Sequence, residues 1–518
     1  MDNEYKVEEN RSFFYKLYKK LLYKNKGYKQ LILWYLLIIF IGALLLFFPF
    51  TKTSDGKEYD INFLDVLFIS SSAFSDTGLN VFSISDVYNL FGQLIIFFLI
   101  MLGGIGWFTF KYFIITFIFY NSKNRKIESE AKRELGETHN SETKEIIKVA
   151  VFSMILGIII FGIIFGIIFA TVDPRPSEDY INAGYTGTEL KGDWGQSFWT
   201  GFFHANASIN NAGFDILNGN TSLAEYYSNY GFQVLTLILF IFGGIGFAVI
   251  YDIKKNIVNK SKGQGFKFSL FTKISALIYF SVAFIGLILV YITEAIKYAI
   301  DEGSSFLGNS NYGNMGEKYW ALTFNTFSTR NCGFSTFDLN ELSDTSKGIY
   351  ILMMFIGSGP GSTAGGIRTT TTAILLIYFF SLFKKQERKN VIFNKKISNE
   401  TIDLSKKIFL SSLVIVFSVS IIISIEDVWV NDNIDSYLSA LFIATSAFGT
   451  TGLSIGTSTV NGISTIGIST EIFGILTMII GQIGVANLIK ASSRYDENKL
   501  KHRKINMSFY LEEDLNLG

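Results

Sequence analysis

The chain has 518 residues, 49% of them hydrophobic and 17% charged, with 51 Phe and a formal net charge of +1. That balance excludes a strongly cationic nucleic-acid surface, while repeated apolar runs of about 20 residues are long enough to cross a bilayer as helix. The single cysteine, Cys332, excludes an intrachain disulfide framework, and three histidines (His139, His204, His502) are too few and scattered for a histidine-rich metal site.

In chain order, residues 1–30 form a charged tail that does not read as a cleavable signal. Apolar spans follow near 31–50, 88–120, 146–172, 232–252, 270–296, 348–383, 408–425 and 472–490, eight in all. Between the members of each pair lies a segment too brief to cross: INFLDVLFISSSAF, WGQSFWTGFFHANASI, KYWALTFNTFST and IDSYLSALFIATSAF. Each leads into a glycine tetrapeptide, DTGL (76–79), NAGF (211–214), NCGF (331–334) or TTGL (450–453). Further on comes a second glycine signature: LGGIGW (102–107), FGGIGF (242–247), IGSGPG (356–361) and IGQIGV (480–485). Two landmarks recurring in order four times indicate internal repetition.

The expected fold is an all-α membrane protein of four span–short helix–span (M1–P–M2) repeats, with eight transmembrane helices and four re-entrant pore helices. The repeats cover 31–120, 146–252, 270–383 and 408–490, with a cytosolic linker at 121–145 and a cytosolic tail at 491–518. Two crossings return the chain to its starting side, so the repeats are parallel about the membrane normal rather than inverted. Four parallel units around one pseudo-fourfold axis describe a pore. Charge sets the orientation. Residues 1–29, 254–273 and 384–407 carry eight, six and eight Lys/Arg against four, zero and three acids, whereas 173–193 and 426–435 are acidic. The positive-inside rule then puts both termini and the basic links in the cytoplasm.

A short helix entering from outside and ending in mid-membrane points its C-terminus, worth about −0.5 charge, at the axis. Glycine reaches φ > 0 without steric cost and lets carbonyls face inward. Rings of carbonyls can replace the hydration shell of K+. The expected ligands are the backbone carbonyls of Asp76, Thr77 and Gly78, of Asn211, Ala212 and Gly213, of Asn331, Cys332 and Gly333, and of Thr450, Thr451 and Gly452. Leu79, Phe214, Phe334 and Leu453 anchor the turns by packing outward.

The stretch FIGSGPGSTAGGIRTTT (355–371) interrupts an apolar span. Polar backbone survives in hydrocarbon only when buried in protein or beside water. Gly357, Gly359, Pro360, Gly361, Ser362, Thr363, Gly365 and Gly366 therefore read as an intramembrane loop beneath the filter, a movable gate. Ser358, Ser362 and Thr363 are expected to satisfy neighbouring backbone. Gln482 either faces the pore near this loop or makes an interhelical hydrogen bond. The same stretch matches GxGxxA, but no βαβ context surrounds it and the dinucleotide reading is rejected. No catalytic motif is present, which argues against an enzyme, and neither inverted topology nor clear intramembrane charges favour an organic-solute symporter.

Taken together, SSAFSDTGLNV, ASINNAGFD, STRNCGFST, SAFGTTGLS and FIGSGPGSTAGGIRTTT resemble the TrkH/KtrB/HKT superfamily of K+ transporters, over roughly 31–490. Eight spans, without an extra N-terminal pair, favour the KtrB branch. The resemblance implies K+ as the transported ion, with Na+ dependence as an option, a Na+-conducting or less selective monovalent cation transporter as the alternative, and no organic cofactor. It also implies a homodimer in the cell membrane, gated by a cytosolic ring of nucleotide-binding KtrA/TrkA-like (RCK) subunits. Asp76, Asn331–Cys332 and Gln482 depart from the residues more common in that family. Arg330 admits two readings, a barrier to cations or a buried structural brace, and His204 is read as packed rather than proton-sensing.

Overall fold

The computed structural model describes residues 28–57, 60–114, 143–182, 190–217, 222–263, 267–383, 395–431, 436–455 and 467–492, with a few positions between them. The N-terminal tail before residue 28, the C-terminal tail after 492 and most of the 121–145 linker lie outside the described residues.

One order of helices recurs four times. The first unit comprises α1 (Tyr28–Phe47), α2 (Phe63–Phe74), α3 (Leu90–Ile105) and α4 (Trp107–Phe113). The second comprises α5 (Thr143–Thr171), α6 (Trp194–Ile209), α7 (Tyr230–Gly244) and α8 (Phe247–Ser261). The third comprises α9 (Leu270–Ile300), α10 (Met315–Ser328), α11 (Asp344–Phe355) and α12 (Thr369–Ser381). The fourth comprises α13 (Asn399–Asn431), α14 (Ser436–Gly449), α15 (Ile468–Ile483) and α16 (Val485–Ser492). Among the described residues, β structure consists of two small antiparallel ladders, Val391–Ile392 with Lys395–Lys396 and Thr459–Val460 with Ile463–Ser464, and two isolated bridges, Lys52 with Tyr88 and Ile356 with Ile367.

The leading helix of each unit contains a stretch long and apolar enough to cross a membrane, with mean hydropathy between 2.4 and 2.9. Only 22% to 39% of each stretch is buried, so most of its apolar surface, including Leu36, Phe40, Ile159, Ile288 and Leu410, faces outward. An outward apolar face needs lipid rather than water. The chain is a multi-pass membrane protein.

The second helix of each unit is short, 12 to 16 residues. At 1.5 Å per residue that gives at most about 24 Å, less than the hydrocarbon thickness of roughly 30 Å. Three of these helices begin at polar caps. Asn62 with Asp65, and Asn314 with Glu317, form reciprocal capping boxes, and Asp193 accepts from the Gln196 N–H. Gly201 of α6 lies against the backbone of Gly162 and Gly166, so α5 and α6 touch main chain to main chain.

The third helix does not run through as the sequence suggests. The spans expected at 88–120, 232–252 and 472–490 each break at the last glycine of the second signature, where Gly106, Gly246 and Gly484 adopt φ of 83°, 100° and 82°. Between α7 and α8 the axis turns by 98°, and α8 runs on to Ser261, past the expected end of its span. The first glycine of the signature has another purpose. A Cβ at Gly103, Gly243 or Gly481 would collide with the carbonyl oxygen of Phe74, Ile209 or Phe448, at the C-terminal end of a short helix. In the third and fourth units a glutamate of the leading helix caps the third helix. Glu294 accepts from Ser343 N and Oγ at 3.0 and 2.7 Å, and Glu426 from Ser469 N and Thr470 N, both at 2.7 Å.

These two glycine roles separate by experiment. At Gly484 a methyl group meets open space and costs only the left-handed backbone, about 1–2 kcal/mol, whereas at Gly103 it meets a fixed carbonyl. Gly103→Ala should lower the melting temperature of the detergent-solubilised protein clearly more than Gly484→Ala does. Equal shifts would contradict the backbone contact.

Candidate functional site

The four glycine tetrapeptides, far apart in sequence, meet at one place. A Cβ built on Gly78 would stand 2.5 Å from the Ala212 carbonyl oxygen and 3.1 Å from Gly213 Cα. One on Gly213 would stand 2.6 Å from the Cys332 oxygen and 3.2 Å from Gly333 Cα. One on Gly333 would collide with the Thr451 oxygen, and one on Gly452 with the Thr77 oxygen, beside Gly78 Cα at 3.1 Å. The contacts therefore run 78 to 213 to 333 to 452 and back to 78, a closed ring of main chain. No side chain fits at any of the four positions.

Each turn follows from how its short helix ends. Asp76, Asn211, Asn331 and Thr450 take φ of 52°, 58°, 78° and 49°, the left-handed region that usually selects glycine. In the first, second and fourth units the next N–H reaches back across the last turn, from Thr77 to Ser72 O, Ala212 to Ala207 O and Thr451 to Ser446 O, at 2.8–2.9 Å. With the three-residue bonds from Asp76 N to Ala73 O, Asn211 N to Ser208 O and Thr450 N to Ala447 O, at 3.1–3.3 Å, this is the Schellman closure. In the third unit Cys332 N bonds Ser328 O instead. Sequence reasoning assigned the left-handed conformation to the glycines, which adopt it, and missed it two residues earlier, where Asp and Asn tolerate it and β-branched Thr450 is strained. The Gly365 N–H holds that strained residue, donating to Thr450 Oγ1 at 2.6 Å. The Gly78 and Gly452 N–H groups donate to Ser72 and Ser446 Oγ at 3.1 and 3.0 Å.

Leu79, Phe214, Phe334 and Leu453 are all buried behind the ring. His204 lies between Phe165, Phe232 and Phe334, with ring centroids 4.8, 4.8 and 4.9 Å away, and its Nε2 is 2.9 Å from Thr236 Oγ1. It packs as an aromatic body whose Nε2 also lies 3.4 Å from Ser208 Oγ.

The interrupted stretch of the third unit lies against these turns. Gly359 N donates to Gly244 O at 3.2 Å and Phe247 N to Gly361 O at 3.1 Å, tying the loop to the second unit. Gly366 N donates to Phe448 O at 3.1 Å and, with the Gly365 bond, ties it to the fourth. Ser358 Oγ donates to Asn331 Oδ1 at 2.9 Å, and Ser362 Oγ accepts from Arg368 at 3.3 Å. Ser362 and Thr363 differ from expectation: the Ser362 hydroxyl meets a guanidinium rather than backbone, and the Thr363 hydroxyl has no partner among the described residues. A built Cβ on Gly246 would stand 2.8 Å from the Pro360 oxygen, so the break in the second unit makes room for the loop.

Arg330 is wholly buried and acts as a brace. Its guanidinium donates to the carbonyls of Met353 and Gly357, both at 2.7 Å, and of Ile356, and stands 5.1 Å from the Tyr279 ring. It thereby caps the C-terminal end of α11, where the carbonyls lack helical partners. Gln482 turns to the first unit, with Nε2 3.4 Å from both Asp76 Oδ2 and Gly103 O. Among the described residues it makes no hydrogen bond to the loop.

A family model described as a cation transport protein, TrkH, matches residues 19–501. An uncharacterised cation transporter of Mycoplasma genitalium is 31% identical over 566 aligned positions, covering 96% of this chain and 99% of that protein. The Ktr system potassium uptake protein D of Bacillus subtilis is 30% identical over 472 positions, covering 91% of this chain and 94% of that one. Among solved structures, the potassium transporter TrkH from Vibrio parahaemolyticus matches with TM-score 0.61 at 15% identity, over 90% of this chain and 85% of that chain, a likeness of fold.

Removing the Arg330 guanidinium would orphan three carbonyls, two in buried bonds and one in a partly buried bond, at about 1–3 kcal/mol for each buried one. Arg330→Met should abolish the monodisperse folded peak in size-exclusion chromatography, and Arg330→Lys, which keeps part of the donor set, should retain some of it. A fully folded Met variant would show the brace to be dispensable.

Proposed function

This chain belongs to the TrkH family of cation transport proteins, a family of transporters and not of enzymes, and we propose that it takes up K+ through a filter of main-chain oxygens. The observation that carries this reading is the closed ring formed by Gly78, Gly213, Gly333 and Gly452 with the carbonyls of Thr77, Ala212, Cys332 and Thr451. Behind the ring stand the C-terminal ends of α2, α6, α10 and α14. Each such end is worth about −0.5 charge, and four of them favour a cation between them. A K+ ion entering the ring exchanges water for carbonyl oxygen. Downhill passage of this kind needs no catalytic residue.

In this reading each unit is an M1–P–M2 repeat, the four repeats surround a pseudo-fourfold axis, and the short helices enter from outside. Residues 357–366 lie on the cytoplasmic side of the ring as the gate. Opening shifts that loop out of its hydrogen bonds to the second and fourth units. Both termini are cytoplasmic, the membrane subunit forms a homodimer, and a cytosolic nucleotide-binding ring of the KtrA/TrkA type drives the gate. The name of the relative in Bacillus subtilis, a component of a potassium uptake system, supports a partnered assembly.

Expression in a bacterium lacking K+ uptake should restore growth at low external K+, and Gly333→Asp, which places a side chain in the ring, should not. Growth of the variant equal to wild type would remove the ring from the conduction path. Deleting residues 359–364 should raise Rb+ flux in proteoliposomes without any partner; unchanged low flux would count against the loop as gate.

A further inference from the structure

Of the four residues that open the turns, only Asp76 is charged, and it is wholly buried. The other three find partners. Asn331 donates to Gly449 O and accepts from Ser358, and Thr450 accepts from the Gly365 N–H. The Asn211 amide, in its hydrogen-bonding orientation, donates to Phe240 O at 2.9 Å and accepts from Gly244 N at 3.2 Å. Asp76 differs. Its Oδ2 is met by Gln482 Nε2 at 3.4 Å, long for a hydrogen bond to a carboxylate, and its Oδ1 accepts nothing from the described residues. Gln482 is in the same position, because its Oε1 also has no donor and its Nε2 is shared with the Gly103 carbonyl at 3.4 Å. No described Lys or Arg pairs with Asp76. Arg330 is committed to the carbonyls of the third unit, and Arg368 to Ser362 and Ala364 of the loop.

An ionised carboxylate sealed from water requires a countercharge or a proton. A proton would join one carboxylate oxygen to one acceptor and leave the other oxygens of this seam loosely held. With the Gln482 amide turned so that Oε1 takes the place of Nε2 beside Asp76 Oδ2 and the Gly103 carbonyl, a cation draws on the carboxylate, Gln482 Oε1 and the Gly103 carbonyl together. We propose that Asp76, Gln482 and the Gly103 carbonyl form a monovalent-cation subsite behind the first turn, at the seam between the first and fourth units, and that it prefers Na+ to K+. A carboxylate exerts a stronger field than a carbonyl dipole, and a stronger field favours the smaller, more tightly attracted ion. The subsite rests on the reading of the adjoining ring as the conduction path, and it gives this chain a Na+-responsive element there that a purely carbonyl ring lacks.

Two measurements on the full chain test it. The melting temperature of the detergent-solubilised protein should rise in NaCl relative to equimolar choline chloride, and rise less in KCl. Asp76→Asn should abolish the NaCl response. If that variant fails to fold, Gln482→Lys, which supplies a tethered ammonium in place of the ion, should abolish it instead. In proteoliposomes the ratio of Na+ to Rb+ uptake should fall about tenfold in either variant, the size expected for losing one charge-assisted ligand. A wild type whose melting ignores NaCl means that Asp76 holds a proton, and overturns the proposal. A wild type that moves neither ion sinks the conduction reading, and the melting data still judge the subsite. Flux of both ions with an unchanged ratio in the variants overturns the subsite alone.

Discussion

Four main-chain segments occupy one small space, and that space excludes even a methyl group. Each of Gly78, Gly213, Gly333 and Gly452 lies against the carbonyl of the next unit, so every unit depends on its neighbour for the shape of its turn. A single glycine in a membrane helix is readily explained by close helix packing. Four glycines whose missing side chains are each excluded by a different copy of the same carbonyl require a ring. The rest of the fold serves that closure. Capped short helices end there, and Gly103, Gly243 and Gly481 let the third helices press directly onto those ends.

Closing a ring of backbone inside a membrane leaves polar groups that water reaches poorly, and each has to be satisfied from within. Reversed turns close the ends of α2, α6 and α14, and side-chain hydroxyls of Ser72, Ser446 and Thr450 accept from nearby N–H groups. The third unit lacks the standard closure and instead has Arg330, whose three bonds cap the helix that leads into the interrupted stretch. A buried guanidinium is costly unless its donors are occupied, and here the carbonyls at the end of α11 occupy both terminal nitrogens, while Nε has no partner among the described residues. The structural need of the broken helix and that of the buried charge answer each other.

Much of this was legible from spacing. The four tetrapeptides and the second glycine signatures identified the units, and the buried positions of Leu79, Phe214, Phe334 and Leu453 match residues singled out for their recurrence. The breaks at Gly106, Gly246 and Gly484 were not legible. An apolar run interrupted by one glycine has the same hydropathy whether the helix continues or turns by 98°, and only the tertiary contact with Pro360 distinguishes Gly246. The left-handed conformation of Asp76, Asn211, Asn331 and Thr450 was equally hidden, because four different side chains share no pattern when it is the backbone that recurs. The direction of Gln482 toward Asp76, across 406 positions of sequence, is beyond any periodicity.

The loop at 357–366 also carries an energetic constraint. Four hydrogen bonds tie it to other units: Gly359 to Gly244, Phe247 to Gly361, Gly365 to Thr450 and Gly366 to Phe448. At a net 0.5–1.5 kcal/mol each, releasing all four costs about 2–6 kcal/mol before any compensation by water. Moving a two-state element from 1:99 to 99:1 takes about 5.5 kcal/mol of differential binding, which is of the same order. Under the gating proposal, a loop held in this way stays in place without a partner, yet lies within reach of one that binds the displaced form more tightly. In the proposed gate, a partner for the Thr363 hydroxyl, which has none among the described residues, would deepen the closed state. Glycine contributes on the other side of the balance, because a glycine-rich loop regains more backbone freedom on release than any other sequence.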